Sequence, residues 1–349
     1  MKTFSKKIEF HILQTFPVSC LNRDDVGSPK TAVIGGVSRA RVSSQCWKRS
    51  VRLSLHDLGV KLGLRTKKIE LSLAAILVSK GLTHEAAENG AKDVASKISD
   101  DTLVFISDNE LTKLADLYLN VKKAEEESSS SGKKESKSAL EKAIKGIKKE
   151  PMNALDIALF GRMIAKATNM NLEAACMFSH AISTHKVSTE IDFFTALDDL
   201  QDEQGSAHMG ASEYNSATYY RYICLDLGQL KQTIGDDDDQ IRTAVSSFIK
   251  AVFLAIPSAR QNTMAAMCPW NYAKILVREG QAVQIPFETP VQKDVKGGYL
   301  SNSIKELNNG IAQLETNFGS LFRKVAEFTY DQNQDNSIDS LIDGILGTI

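Results

Sequence analysis

A chain of 349 residues, 42% of them hydrophobic, has the apolar content for one elaborated domain or two and is not globally disordered. No run approaches the roughly eighteen apolar residues of a membrane span, and Met1–Lys7 leads into an alternating run, so neither a leader nor a membrane partner is expected. Five scattered cysteines without a C-x-x-C pair point to a reducing, cytoplasmic setting. The net charge of −1 conceals an uneven distribution. Residues 1–70 hold fourteen Lys/Arg against five Asp/Glu, and residues 186–240 hold three against twelve. Such a chain can hold a polyanion and offer a complementary surface to another copy of itself. Two unrelated solvated faces are the plainer alternative.

In chain order, Ile8, Phe10 and Ile12 alternate with Glu9, His11 and Leu13, which predicts a strand with one well-buried face. A polar loop follows from Ser19 to Pro29, then a short extended piece at Arg39–Val42. Ser43-Ser44 can cap a helix beginning near Cys46, with Trp47, Val51, Leu55 and Leu58 as its core stripe and Lys48, Arg49 and Arg52 on another face. From Lys61 to His180 the pattern is helical, broken by a low-complexity stretch, Glu125–Lys134, expected to be a mobile loop. Thr189–Ser216 is acidic and holds Gly205 and Gly210. Tyr219–Leu227 reads as a second strand, Asp239–Phe253 as helix, Gln281–Ile285 as a last strand and Leu300–Thr329 as helix. The outline is α+β: a ferredoxin-like, RNA-recognition-type core carrying a helical and an acidic insertion.

Chemistry concentrates near the N-terminus. Arg39, Arg41, Ser43, Ser44, Gln45, Lys48, Arg49 and Arg52 surround one strand-to-helix junction, where free N–H groups and a partial positive charge favour phosphate. Contacts of this kind fix register without reading sequence. Arg23 can reach a phosphate or pair with Asp24 or Asp25, and those carboxylates can bind Mg²⁺ or simply shape the loop. His180 and His185, read as lying in or near a helix, are too far round it to share a ligand. With no H-E-x-x-H, G-x-S-x-G or Walker pattern, no enzyme site and no cofactor are expected.

Ser19-Cys20-Leu21-Asn22-Arg23-Asp24-Asp25, Gly35-Gly36 and Arg39-Ala40-Arg41-Val42-Ser43-Ser44-Gln45 with Lys48, Arg49 and Arg52 resemble the opening of the type I-E CRISPR Cascade backbone subunit, the CasC family. The resemblance continues through Asp156–Met163, His180–His185, Asp198-Asp199-Leu200, Gly205–His208, Tyr220-Arg221-Tyr222, Gln261–Ala266 and Phe287–Pro290, nearly the whole chain in order. It implies a palm (residues 1–59, 180–188 and 216–349), a helical fingers insertion (60–179, with a mobile loop near 124–138) and a thumb hairpin (189–215). Copies would polymerise along a CRISPR RNA as a helical filament, grip its phosphates and present its bases to a target DNA strand. Other Cascade subunits and a target-degrading nuclease would be further partners. Carried over by position, Arg23, Lys30, Ser43, Gln45, Lys48, Arg49 and Arg52 would hold the guide backbone. Met163, with Asp198, Gly205 and His208 of the thumb, would serve base displacement. The family can carry basic residues after the Gly-Gly pair, where this chain has Val37 and Ser38. A metal-dependent ribonuclease using Asp24 or Asp25 and a lone RNA-recognition protein are the rival readings.

Overall fold

The computed structural model describes residues 5–99, 102–127, 133–147, 150–197 and 206–349, and the side chains of 126–138 and 196–208 lie outside that description. The chain divides into two compact units. The first comprises Met1–Leu58, Cys176–Leu227 and Arg242–Ile349, and the second Gly59–Ala175 and Gly228–Ile241.

The first unit begins with β1 (Lys7–Ser19), the hairpin of β2 (Thr31–Ile34) and β3 (Val37–Val42), and α1 (Ser44–Asp57). The second unit follows with β4 (Leu64–Thr66), α2 (Ile69–Ser79), α3 (His84–Ile98), β5 (Val104–Ile106), α4 (Asp108–Glu127), α5 (Lys133–Lys145) and α6 (Leu155–Phe160). The chain returns to the first unit as β6 (Cys176–Phe178), β7 (Ala181–Ser183), β8 (Glu190–Leu197) and β9 (Ser206–Asp226). Most of α7 (Leu227–Ile234) lies with the second unit. The bulk of α8 (Asp238–Leu254) then leads to α9 (Gln261–Met264), β10 (Tyr272–Arg278), α10 (Leu300–Phe318), β11 (Lys324–Asp331) and α11 (Ile338–Leu346) in the first. This is the expected α+β class, built on one large antiparallel sheet.

That sheet runs β11-β10-β1-β9-β7-β3-β2, with β6 and β8 also paired to β9. Its centre, β1, is buried on both faces and not on one as its alternation predicts. Ile8, Phe10 and Ile12 share one face, and Phe10 meets Phe248 of α8 edge-on at 6.2 Å. The opposite face carries Glu9, His11 and Leu13, all 0% exposed, beneath α10 and the segment around Val283–Phe287. Burying Glu9 is tolerable because Arg278 donates to it at 2.8 Å. Tyr220 Oη and His11 Nδ1 lie 2.9 Å apart. Unpaired, such groups would each cost several kcal/mol.

β9 serves two roles in 21 residues. From Asn215 to Asp226 it pairs with β1, and from Ser206 to Tyr214 with β8 as an antiparallel ribbon. Register slips between Phe16 and Ser19, where Pro17 has no N–H to give the ladder. The hairpin β2–β3 turns through Gly35 (φ +58) and Gly36 (φ +73), the left-handed pair demanded by a two-residue type I′ turn.

Several expectations change. Gln281–Ile285 is irregular and outside the sheet, with Val283 and Ile285 buried, and the paired strand is the preceding apolar run β10. Helix α10 stops at Phe318 before Gly319 (φ +51), and the alternating Lys324–Asp331 forms an edge strand. His180 and His185 flank β7 in non-helical backbone. Leu58 is 39% exposed, outside the core stripe of α1. Helical backbone of α4 and α5 enters the stretch expected as a loop near 124–138, consistent with its Glu, Lys and Ala. Residues 128–132 fall outside the described residues. In the second unit α2–α5 enclose one apolar cluster, and the antiparallel pairing of β4 with β5 across the intervening α2 and α3 was not foreseen. There Arg162 grips Glu110 through two nitrogens at 2.6 and 2.5 Å. Residues 228–241 belong with this unit and not with the palm remainder that was expected to hold them. No helix among the described residues is long and apolar enough to cross a membrane.

Candidate nucleic-acid interface

The site is organised by α1 and the loop before it. Ser43 is its N-cap, in extended backbone, and its hydroxyl accepts from Cys46 N–H at 3.3 Å. Asn22 Oδ1 accepts from Ser43 N–H at 2.9 Å, so the loop is stitched to the helix start. The remaining first-turn N–H groups have no carbonyl within the helix. Beneath, Trp47, Val51 and Leu55 seal α1 to the sheet. A buried aromatic anchor of this size is worth about 3–5 kcal/mol.

Arg221 on β9 supports that anchor. Its guanidinium lies 3.6 Å from the Trp47 ring centroid and donates to Gln14 Oε1 at 2.6 Å. Burial pushes its pKa down to about 9, which still leaves a cation at neutral pH. The Trp47–Arg221 stack therefore fixes the helix from the side opposite solvent. Lys48, Arg49 and Arg52 emerge on the other side. Arg49 is exposed, Lys48 and Arg52 are half-buried, and Lys48 Nζ sits 5.8 Å above the Phe178 ring. Gln45 is exposed at the same terminus, with Ser44 Oγ 3.3 Å from its Oε1.

The loop contributes Lys30 and Arg23. Lys30 N–H donates to Asn22 O at 2.8 Å, and Arg23 is bridged to Pro29. Neither side chain forms an ion pair among the described residues. Asp24 is committed to the turn, its Oδ1 accepting from Val26 and Ser28 N–H at 3.0 and 2.9 Å. Asp25 is exposed. Among the described residues no three His, Cys, Asp or Glu side chains gather as a metal set.

Arg41 and Arg39, two residues apart on β3, have different fates. Arg41 donates to Thr31 O at 3.3 Å and contacts His180 Nδ1 at 3.2 Å, at the surface. Burial holds the His180 pKa below its ordinary value, and the nearby Arg41 and Lys30 charges add to this. Arg39 must be withdrawn from the phosphate contacts. It is 0% exposed, and its guanidinium donates to the carbonyls of Ser183 (2.6 Å), Phe287 (3.0 Å) and Glu288 (3.1 Å). Its charge is consumed inside, tying β3 to β7 and to the 287–288 segment.

The β8–β9 ribbon exposes Ile191, Phe193 and Met209. Asp198 and Gly205 lie outside the described residues, as does the side chain of His208. Met163, in the second unit, is 84% exposed. Sequence reasoning named Asn22 within the Ser19–Asp25 motif without a role for it, and it missed His180 and Arg260 as members of the interface. Arg260 lines a cleft of about 780 Å³ with Arg23 and Arg49. No local motif marks them, because long-range pairing brings them in. The lone hint was their presence in, or beside, stretches carrying the resemblance.

The family model described as CT1975-like protein matches residues 8–343. A solved chain described as "CRISPR RNA-guided surveillance complex, pre-nicking" is 30% identical with a TM-score of 0.79, covering 98% of this chain and 99% of that one. A second, "CRISPR RNA-guided surveillance complex", is 26% identical with a TM-score of 0.63, covering 98% of each. No curated protein matches.

Proposed function

The chain belongs to the CT1975-like protein family, and from that premise we propose that it is the guide-binding backbone subunit of a Cascade-type RNA-guided surveillance complex, of type I-E. The observation that carries this reading is the gathering of Arg23, Lys30, Arg41, Lys48 and Arg49 about the start of α1, with Arg52 a turn beyond Lys48, on a fold shared with subunits of such complexes. These cations, with Ser43 and Gln45, hold guide phosphates and leave base edges free for a target DNA strand. The protein acts by binding, without chemistry of its own. The β8–β9 ribbon is the thumb that meets the next copy along the guide, with Met163 placed against a displaced base. Other subunits and a nuclease join through the assembled complex.

Lys30→Ala combined with Lys48→Ala tests the grip. Binding to single-stranded RNA should weaken by about tenfold or more, equally for unrelated sequences. The slope of log K against log salt should become shallower by about 0.7 for each lost phosphate contact. Weakening that depends on the guide sequence would refute a backbone grip.

A further inference from the structure

We propose that Arg260 completes, with Arg23 and Arg49, a three-arginine subsite that takes one phosphate of a nucleic-acid backbone. This rests on the guide-binding reading above and adds a residue to it. The three arginines come from different parts of the chain: the Asn22–Gly27 loop, the first turns of α1, and the segment entering α9. They line one cleft of about 780 Å³ together with Asn22, Ser50 and Ser258, which is ample for a phosphate and its sugar.

None of the three forms an ion pair among the described residues. The carboxylates in the same cleft are Asp24 and Asp25. Asp24 is held by the loop N–H groups, so three cations face two carboxylates of which one is already engaged. Two of the arginines also act on the neighbouring Cys20. Burial raises its pKa, while Arg260 and then Arg23 oppose that rise.

Arg260 is also held in an unusual way. Its φ is +55, left-handed backbone that costs a long side chain about 1 kcal/mol or more. Its carbonyl accepts from Met264 and Thr263 N–H at 2.9 and 3.1 Å, fixing that turn. Its Nε–H is out of solvent with no acceptor. The side chain is thus placed by backbone geometry while its guanidinium lacks an anionic partner. Fork-shaped guanidinium groups converging from several directions suit a tetrahedral anion better than a planar carboxylate.

Arg260→Asn removes the charge with a residue that tolerates left-handed backbone, and Arg260→Gly relieves the backbone altogether. With the full chain and polyuridine RNA as probe, both should bind about five- to tenfold more weakly near 0.1 M salt. Both should lose part of the roughly 0.7 that one phosphate on a single strand adds to the salt slope, since Arg23 and Arg49 still face it. Arg260→Lys should keep the slope. Combining Arg260→Asn with Arg23→Ala should cost less slope than two separate contacts would, because both serve one phosphate. Unchanged affinity and slope in Arg260→Asn and Arg260→Gly, alongside weakened Lys30→Ala/Lys48→Ala, overturns the subsite and leaves the backbone grip standing. A wild-type chain that does not bind RNA overturns both.

Discussion

Charge in a sequence says nothing about whether the charge faces water. Arg39 and Arg41 look equivalent on β3, yet one is enclosed by three carbonyls and the other meets His180 at the surface. Replacing Arg39 with Met should therefore destabilise the fold by on the order of 3 kcal/mol, since it strands buried acceptors. A urea titration measures this, and the salt dependence of RNA binding by the folded fraction should stay at its wild-type slope. A shallower slope at unchanged stability would return Arg39 to the phosphate contacts. The cap at Ser43 and the buried stripe Trp47–Val51–Leu55 were legible because both are local patterns. The fate of Arg39 was not, because the segment covering it arrives 248 and 249 residues later. A comparable separation hid Arg260, more than two hundred residues from Arg23 and Arg49, and His180 sits 139 residues from Arg41.

Among elements, the β2–β3 hairpin links the interface to the core. Gly35 turns it at positive φ and lies against Glu288, so an added Cβ would fall well inside contact distance of the Glu288 carbonyl, which also accepts from Arg39. Gly36 has nothing within 4 Å of the same addition. Gly36→Ala should then cost about 1 kcal/mol, the left-handed penalty alone, and Gly35→Ala about 2 kcal/mol or more. Chemical denaturation of the two variants checks the ordering, and equal losses would deny the Glu288 contact. β1 and the Tyr219–Asp226 part of β9 were readable from alternation and from Tyr, Ile and Leu content. β10 was not, because Tyr272–Val277 is apolar at every position but Lys274 and shows no period of two, whereas β1 keeps one with Glu9 and His11 on its second buried face. The end of α10 was overrun because helical spacing fades gradually, while the stop resides in a single glycine, Gly319.

For the molecule as a whole, three histidines respond to acid in the same direction. Thr218 N–H donates to His185 Nε2, so that nitrogen carries no proton, and Nδ1–H donates to Lys186 O. Burial lowers the His185 pKa, opposed by the Lys186 bond and aided by Arg39. Burial also lowers His11 and His180 below 6.5. The unfolded chain then binds protons more readily than the folded one. The stability they contribute is complete above about pH 7 and falls as the pH drops below 6.5 toward the folded values. Thermal midpoints taken from neutral to mildly acidic pH should be flat and then decline, and a rise on acidification would contradict the burial of His11 and His185. The α+β class was legible from the order of patterns. That residues 228–241 join the second unit was not, because the apolar face of a short helix does not name the surface that covers it.

The continuity of β9 from ribbon into sheet also limits how this protein can change over evolutionary time. Side chains alternate faces with a period of two, and no loop separates the ribbon half from the half paired with β1. A single-residue insertion near Asn215 would turn every outer side chain to the wrong face while leaving the sheet intact. Lineages that lengthen or shorten this ribbon should therefore do so by even steps in β9, matched in β8, or by altering its turn.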